Sequence, residues 1–322
     1  MLQKIASLFF MMILSLSSLF GVEPAGYKSQ PLFKDSGFEK GFTVMSQQTV
    51  DGAGIPLGTF NYADSAENPE WMIAQWNSGP CLWQERAESD RYEITDGKTK
   101  LVRYNPDEKS ISMRLNAAAV YGGQEAGEEQ WPHLLLEQSP LCDYPTLTEE
   151  EKAFYSCAAD RLVLRLKIRM TDFKETTNPE GINAVQYLAY FYLKDVDGNN
   201  FIWFGADLFD SRGYNDTNWA ADTVSGNMIY CLSTKDTYGR RSRSLFRRGE
   251  PFVSDEWVEV EIDLKPHIIK AIKRANEDNV FGEKVSVEDF YIGGTNIGFE
   301  IHGNYDCTVE IKDFNLVSYI KK

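Results

Sequence analysis

Histidine and cysteine, the side chains that most often build metal and redox sites, are scarce in this sequence. Its 322 residues contain three histidines, at positions 133, 267 and 302, and five cysteines. No spacing among them matches a zinc motif, and an odd cysteine count leaves at least one thiol without a partner in the chain. We therefore expect no cofactor, with a calcium site of carboxylate and carbonyl oxygens as the open alternative.

Positive charge is also in deficit. The formal net charge is −15 and the pI is about 4.8, which argues against a nucleic-acid partner or an anionic membrane surface. One segment, residues 238–250, runs against this balance with five arginines. We interpret it as a solvated loop, and a docking patch for an anionic polymer is the alternative.

Long apolar runs are absent after the first residues. Residues 5–21 are apolar or small and follow Lys4, the pattern of a secretory signal peptide. The run is short for a membrane span, and no later stretch reaches spanning length. We expect a signal peptide at residues 1–21, no membrane span after its removal, and a secreted, periplasmic or cell-surface protein. Residues 22–322 are predicted to form a single domain with an irregular N-terminal segment at 22–70.

The feature that is abundant is alternation of apolar and polar residues. Residues 161–170, 186–194, 201–210 and 257–264 each place apolar side chains at every second position, as half-buried strands do. The turn at 195–200 contains Asp-Gly and predicts a hairpin between two of these strands.

Two short helices interrupt the predicted strands. Residues 148–161 begin with Thr148 and have Glu151 three positions on, a capping box. Residues 265–277 carry Pro266 in the first turn. The sequence therefore predicts a mainly β fold, an antiparallel two-sheet β-sandwich of jelly-roll type with two short helical insertions. A closed barrel is the alternative.

Several strands break the rule that the outward face of a sandwich is polar. Tyr190, Tyr192, Phe201, Trp203 and Phe209 fall on the predicted outward faces. Exposing such rings costs roughly 25 cal/mol per Å² of apolar area. Either the helices and the N-terminal segment cover them, or they bind a ligand.

Polar residues that suit a sugar accompany these rings. Glu300 and His302 stand two positions apart, on the strand face opposite Ile297, Phe299 and Ile301. The predicted ligand-binding residues are Gln75, Tyr190, Tyr192, Trp203, Asp207 and Arg212. The candidate catalytic residues are Glu300, His302, His133 and Glu137. An Asp210–Arg212 ion pair that holds the following loop is the structural alternative for Arg212.

Three segments carry a resemblance to a known group: "WMIAQWNS" (71–78), "FIWFGADLFDSR" (201–212) and "GFEIHGNYDCTVEIKDFNL" (298–316). Over most of residues 60–320 the chain resembles the secreted concanavalin A-like or jelly-roll proteins of polysaccharide utilisation. These include glucanases, polysaccharide lyases and carbohydrate-binding modules. The resemblance implies a polysaccharide held on a concave sheet face.

Enzyme motifs of that group are incomplete here. "EIDLK" (261–265) resembles the Glu-x-Asp-x-x-Glu strand of retaining glucanases but lacks the second Glu. "AQWNS" has Asn77 where jelly-roll lyases have His. The lyase chemistry would have to come from Gln75, His133, Arg165, Tyr190 and His302. No Gly-x-Ser-x-Gly elbow is present.

Three functional hypotheses remain open from the sequence. The first is an exported protein that recognises a polysaccharide on an aromatic-lined sheet face. The second is an enzyme, a glycoside hydrolase or polysaccharide lyase, that acts in the same groove. The third is a structural or adhesive exported protein whose aromatic face is an interface, and the oligomeric state is left undetermined.

Overall fold

The computed structural model describes most of the chain. The described residues are 25–48, 54–62, 68–83, 91–122, 124, 126–127, 130–176, 181–198, 200–213, 216–239, 244–247 and 249–322. The predicted signal peptide lies outside them, as do four of the five arginines of residues 238–250.

Strands make up most of the regular structure. In chain order the strands and helices are β1 (Tyr27–Pro31), β2 (Phe42–Gln48), β3 (Pro56–Phe60), β4 (Trp71–Trp76), β5 (Glu93–Thr95), β6 (Lys100–Asn105), β7 (Ser110–Asn116), α1 (Ala117–Val120), β8 (His133–Gln138), α2 (Glu149–Tyr155), β9 (Arg161–Glu175), β10 (Ala184–Asp195), β11 (Phe201–Asp210), β12 (Asn218–Ala221), β13 (Met228–Leu232), α3 (Thr234–Tyr238), β14 (Phe246–Arg247), β15 (Glu250–Pro251), β16 (Val258–Asp263), α4 (Lys265–Glu277), β17 (Phe290–His302) and β18 (Tyr305–Lys321). Short 3-10 helices lie at Tyr144–Thr146 and Val287–Asp289.

Two large sheets form the molecule. Over the described residues, a seven-stranded sheet has the order β16-β9-β18-β7-β6-β5, with β1 also paired to β18. A nine-stranded sheet has the order β12-β13-β11-β10-β17-β8-β4-β2-β3. The pairs β11/β13 and β2/β4 are parallel, whereas β8, β17, β10 and β11 pair antiparallel with one another in that order. The predicted mainly β, two-sheet sandwich is confirmed.

The core lies between the sheets. Leu164, Ile168 and Ile311 of the seven-stranded sheet belong to the same hydrophobic cluster as Phe191 and Phe299 of the nine-stranded sheet. The alternating apolar positions predicted to face inward do so because a strand places successive side chains on opposite faces.

The predicted hairpin and helices are present. β10 and β11 pair antiparallel with Lys194 opposite Phe201, as the Asp-Gly turn indicated. Thr148 and Glu151 form the capping box of α2, which ends at Tyr155, earlier than predicted, because Ser156 is already extended. Helix α4 has the predicted bounds, with a proline in its first turn.

The N-terminal part of the chain is more regular than its composition indicated. β1 adds to the seven-stranded sheet, while β2 and β3 form one edge of the nine-stranded sheet. Among the described residues, no helix is both long and apolar enough to cross a membrane.

Candidate binding face on the nine-stranded sheet

The nine-stranded sheet has a second side, away from the core, on which most of the candidate residues meet. We call this side the outer face. Strand register arranges its residues in rows: Trp203, Tyr192 and Gly294; Cys231, Gly205, Tyr190, Asn296 and Glu137; Asp207, Leu188, Gly298 and Leu135; and Asp210, Gln186, Glu300 and His133. The core instead takes the alternate residues of the same strands, such as Tyr187 and Phe299.

The outward side of the seven-stranded sheet is different in character. Its side chains form cross-strand ion pairs, including Arg165 with Glu261 at 3.3 Å and Arg161 with Asp263 at 2.9 Å. These carboxylates belong to the strand that resembles the glucanase motif, and arginines engage them. This is an ordinary solvated sheet surface, and it removes that strand from the candidate site.

Aromatic rings cluster at one end of the outer face. The Trp203 ring meets those of Tyr192, Phe201 and Tyr190 edge-on, with centroid distances of 4.8, 4.7 and 6.0 Å. Tyr190, Phe201 and Trp203 are half-buried, whereas Tyr192 is buried. The cluster therefore offers large rings beside polar groups on one surface.

Two glycines make room for the tyrosine rings. A Cβ atom on Gly205 would lie 2.7 Å from Cε1 of Tyr190, and a Cβ on Gly294 would clash with the ring of Tyr192. Each ring thus occupies the space above a glycine on the neighbouring strand. A glycine inside a strand often marks such a close approach. Gly205 within "FIWFGADLFD" therefore indicated in the sequence that a neighbouring side chain packs against this strand.

Two carboxyl groups on the outer face sit in unusual surroundings. Asp207 is 5% exposed and its Oδ1 has no hydrogen-bond partner within the described part of the chain. Burial, and then the charge of Asp210, raise the pKa of Asp207 well above its ordinary value. Burial also raises the pKa of Glu137, although a hydrogen bond with the Tyr192 hydroxyl opposes that shift. Both carboxyls hold a proton to higher pH than exposed acids do.

Glu300 has a histidine partner, but it is His133 rather than His302. The two residues face each other on β17 and β8, and His133 Nε2 lies 3.5 Å from a Glu300 carboxylate oxygen. Their side chains are 19% and 22% exposed. His133 Nδ1 is buried without a partner among the described residues, so one ring nitrogen makes no hydrogen bond there.

His302 is engaged in holding loops. Its Nδ1 lies 2.5 Å from the carbonyl oxygen of Ile182 and its Nε2 lies 3.0 Å from that of Gly127. Its ring packs 5.1 Å from that of Trp131. With both ring nitrogens occupied, His302 is a structural residue and not a proton-transfer group in this arrangement.

Asn296 is a residue that the sequence analysis missed. It lies between Tyr190 and Glu137 on the outer face and is 6% exposed. Its Nδ2 donates to the Tyr192 hydroxyl at 3.1 Å, and its Oδ1 has no partner among the described residues. Its even spacing from Glu300 along one strand was the signal that places both on the same face.

Two predicted ligand-binding residues have structural partners. Gln75 is fully buried on the same side of β4 as Trp71 and Ile73, and it bonds Met45 O and Leu82 N. Alternation itself puts Gln75 inward, so it does not belong to the outer face. Arg212 donates two hydrogen bonds to the buried Asp210 carboxylate, at 2.9 and 2.6 Å. The Asp210–Arg212 ion pair predicted as the structural alternative is therefore present.

A β-bulge changes the outward pattern of β11. The register shifts between Tyr187 and Leu188, so that Tyr187 pairs with Phe209 and Leu188 with Asp207. The extra residue turns Phe209 into the core, where its ring stacks on Phe246 at 4.6 Å. The prediction that Phe209 faces outward was therefore wrong, because strict alternation of side chains fails at a bulge.

Comparison with known proteins gives limited information. No family model and no curated protein matches the chain. Among solved structures, a family 12 xyloglucanase from Bacillus licheniformis is 7% identical, with a TM-score of 0.38, over 71% of this chain and 91% of that one. The xyloglucanase domain of NopAA from Sinorhizobium fredii, in complex with cellobiose, is 9% identical, with a TM-score of 0.35, over 72% and 100%. A family 11 xylanase from Neocallimastix patriciarum is 10% identical, with a TM-score of 0.35, over 69% and 86%. At these scores the similarity says nothing about what this chain binds, and the sandwich is established by its own strand pairing.

Proposed function

We propose that this protein binds a polysaccharide on the outer face of the nine-stranded sheet. The observation that carries the proposal is a set of three buried polar atoms on that face that have no partner among the described residues: His133 Nδ1, Asp207 Oδ1 and Asn296 Oδ1. A buried polar atom without a partner costs about 1–3 kcal/mol. Ligand hydroxyl groups would supply the missing hydrogen bonds.

The chemistry of the face suits a sugar chain. A pyranose ring presents an apolar C–H face on one side and hydroxyl groups around its edge. The rings of Tyr190, Trp203 and Phe201 are half-buried on the outer face and can stack against the apolar side. The polar atoms beside them can bond the edge.

The charges favour an uncharged sugar. Glu137, Asp207 and Glu300 lie in the middle rows of the face. Of the described cations, Lys194 lies in the row beyond Tyr192, and Arg212 is paired with Asp210. A uronate carboxylate would meet acids and no unpaired guanidinium, so we infer a neutral polysaccharide.

Export is consistent with binding a polysaccharide outside the cell. We infer that residues 22–322 act as the mature, exported unit. N-terminal sequencing of the protein recovered outside the cytoplasm would begin near Val22, and a mature chain that still began at Met1 would contradict this.

Affinity gel electrophoresis tests the binding proposal. Gels would contain mixed-linkage β-glucan, xylan, galactomannan or amylopectin, with alginate and polygalacturonate as uronate polymers. We expect retardation by at least one neutral polymer and by neither uronate. The Trp203→Ala variant should bind at least tenfold more weakly, since it loses the central ring of the aromatic cluster.

The matched control is Trp257→Ala. Trp257 lies next to the seven-stranded sheet, where Arg169 and Lys312 each pack 4.2 Å from its ring. Its loss should leave retardation unchanged. The proposal would be contradicted if none of the polymers retarded the wild-type chain, or if the Trp203→Ala and Trp257→Ala variants were retarded equally.

Hydrolysis of the bound chain is the second candidate function. Asp207, whose pKa is raised by burial, can hold the proton that a glycosidic oxygen needs, and Glu300 beside His133 can accept a proton from water. Glu137 lies opposite Asn296, four positions along β17 from Glu300, or about 14 Å by strand rise. Asp207 lies two strands from β17, in the row of Gly298, which is only two positions from Glu300, so Asp207 is nearer to Glu300 along the strand direction than Glu137 is.

A reducing-end assay separates cleavage from binding. If the chain is a hydrolase, Asp207→Asn and Glu300→Gln should lose about 10²-fold or more of the release rate and keep their retardation in the gels. Release at the wild-type rate by both variants would exclude these roles. No reducing ends from any retained polymer would leave binding alone as the function.

The lyase and structural hypotheses have weaker support. The residues assembled for a lyase are divided, because Arg165 lies on the seven-stranded sheet and Gln75 is buried. We expect no product with the ultraviolet absorbance of an unsaturated uronate. A structural role would instead predict a dimer in sedimentation that Trp203→Ala dissociates.

A further inference from the structure

We propose that Asn296 is a specificity-determining residue that selects a free hydroxyl group on the bound sugar and rejects a capped one. This inference rests on the proposed polysaccharide binding and assigns a role to a side chain within that face. The feature behind it is a hydrogen-bond chain through Asn296, Tyr192 and Glu137.

The position of Asn296 suits direct contact with a ligand. Register places it between Tyr190 on β10 and Glu137 on β8, in the row that crosses the middle of the outer face. Asn296 is 6% exposed, and the next residue of β17, Ile297, belongs to the apolar cluster between the sheets, so Asn296 lies on the opposite face. Its amide is therefore held at the surface of the sheet with little freedom to move.

The hydrogen bonds define the direction in which the amide points. Tyr192 is hydrogen-bonded to the Glu137 carboxyl, which accepts the single hydroxyl proton. The Tyr192 oxygen must then accept its other hydrogen bond, and Asn296 Nδ2 donates to it at 3.1 Å. A flipped amide would place two acceptors against each other.

The consequence is a fixed, unused acceptor. Asn296 Oδ1 is buried and has no partner in the described part of the chain. It can accept a hydrogen from a sugar hydroxyl, whereas a methyl ether at the same carbon has none to give. A site built to bond a hydroxyl group rejects the analogue that lacks it, because the buried acceptor stays unpaired.

The test compares native and O-methylated forms of mixed-linkage β-glucan, xylan, galactomannan and amylopectin in affinity gels. The wild-type chain should bind the native form of a retained polymer about tenfold or more tightly than its methylated form. Asn296→Leu should bind the native form about tenfold more weakly and lose the discrimination. Asn296→Asp, which keeps an acceptor oxygen, should retain part of it.

The control is Asn315→Leu. Asn315 is also buried, and its Oδ1 has no partner among the residues that the structure describes, but it lies on β18 in the seven-stranded sheet. This substitution should change neither affinity nor discrimination. A weakened Asn315→Leu chain would show that the Asn296 effect is a general loss of packing, and would overturn the inference.

Tyr192→Phe gives a second measurement if Asn296→Leu does not fold. Without the hydroxyl group, the Asn296 amide can rotate and donate to an ether oxygen, so retention of the methylated polymer should rise. Unchanged discrimination in every folded Asn296 and Tyr192 variant overturns the inference and leaves the proposed function standing. Failure of the wild-type chain to bind any polymer overturns both.

Discussion

Two histidines show how the function of a residue depends on whether its polar atoms are already engaged. His302 uses both ring nitrogens on carbonyl oxygens, whereas His133 has one nitrogen toward Glu300 and one without a partner among the described residues. The two share a residue type and lie on adjacent strands of one sheet. Within the described part of the chain, only His133 of these two retains a ring nitrogen without a hydrogen bond.

Lys100 is a buried cation in the described structure. It is fully buried on β6, and its ammonium group donates to the carbonyl oxygens of Ser78 and Pro80. Burial lowers the pKa of Lys100 from 10.5 to about 8, and the charge of Asp96 only partly opposes this. The lysine ties the loop after β4 to the seven-stranded sheet.

This depressed pKa predicts a stability that rises with pH. Between pH 8 and 10.5 the unfolded chain binds more protons at this lysine than the folded chain, so the free energy of unfolding increases with pH. We expect Lys100 to contribute about 2 kcal/mol more at pH 9.5 than at pH 7.5. The measurement is urea unfolding of the wild type and of Lys100→Met at both pH values. An equal difference between the two proteins at both pH values would contradict it.

At the scale of elements, β11 combines two departures from a regular strand. Gly205 leaves space that the Tyr190 ring fills, and the bulge at Leu208 turns Phe209 inward while Asp207 stays outward. The bulge thus directs Phe209 into the core and leaves Asp207 on the outer face. Bulges that redirect a side chain in this way are frequent next to functional sites.

Gly205→Ala tests the role of this element in binding. The added methyl group would lie 2.7 Å from both Cys231 Sγ and Tyr190 Cε1, so the ring must move. We expect a loss of about 1–3 kcal/mol in unfolding free energy and weaker retardation in the polysaccharide gels.

The matched control for this substitution is Gly37→Ala. Its Cβ would meet only the flexible Glu39 side chain, at 3.4 Å. It should preserve both stability and retardation. Wild-type retardation by a folded Gly205→Ala chain would show that the Tyr190 position does not matter for binding.

At the scale of the whole molecule, the two sheets turn different surfaces outward. One is a network of ion pairs, such as Arg169 with Glu310 at 2.6 Å and Lys167 with Asp313 at 3.0 Å. The other carries a cluster of aromatic rings and buried carboxyls. This asymmetry is the reason that we propose a ligand on one side of the sandwich only.

The five cysteines give a prediction about the whole chain. All are free thiols in the structure, with Cys142 half-buried and the other four buried. The pKa of Cys142 is raised to about 11, mainly by burial, which slows its reaction. Ellman's reagent at pH 8 should modify at most one thiol in the folded chain, slowly, and five after unfolding without reductant.

Cys142→Ser is the control for the thiol count, and it should remove the reaction of the folded chain. Fewer than five thiols in the unfolded wild type would mean that a disulfide forms, in conflict with the structure.

Much of the fold and part of the site were predictable. Alternation puts Leu134 and Leu136 on one face of β8 and His133 and Glu137 on the other, and in the structure the two leucines belong to the core cluster. The partner of Glu300 was not predictable, because its neighbour on the sheet comes from a strand more than 160 positions earlier in the chain. Local patterns carry no information about such pairings.

The sequence by itself determined the period of the strands, the hairpin at Asp-Gly and the faces on which most side chains lie. These follow from local geometry, since successive residues of a strand point to opposite sides. Only the tertiary structure decided that His133 meets Glu300, that Phe209 turns inward and that the Asn296 acceptor has no partner among the described residues. Strand order, a bulge and burial arise from contacts between distant segments, which no local pattern specifies.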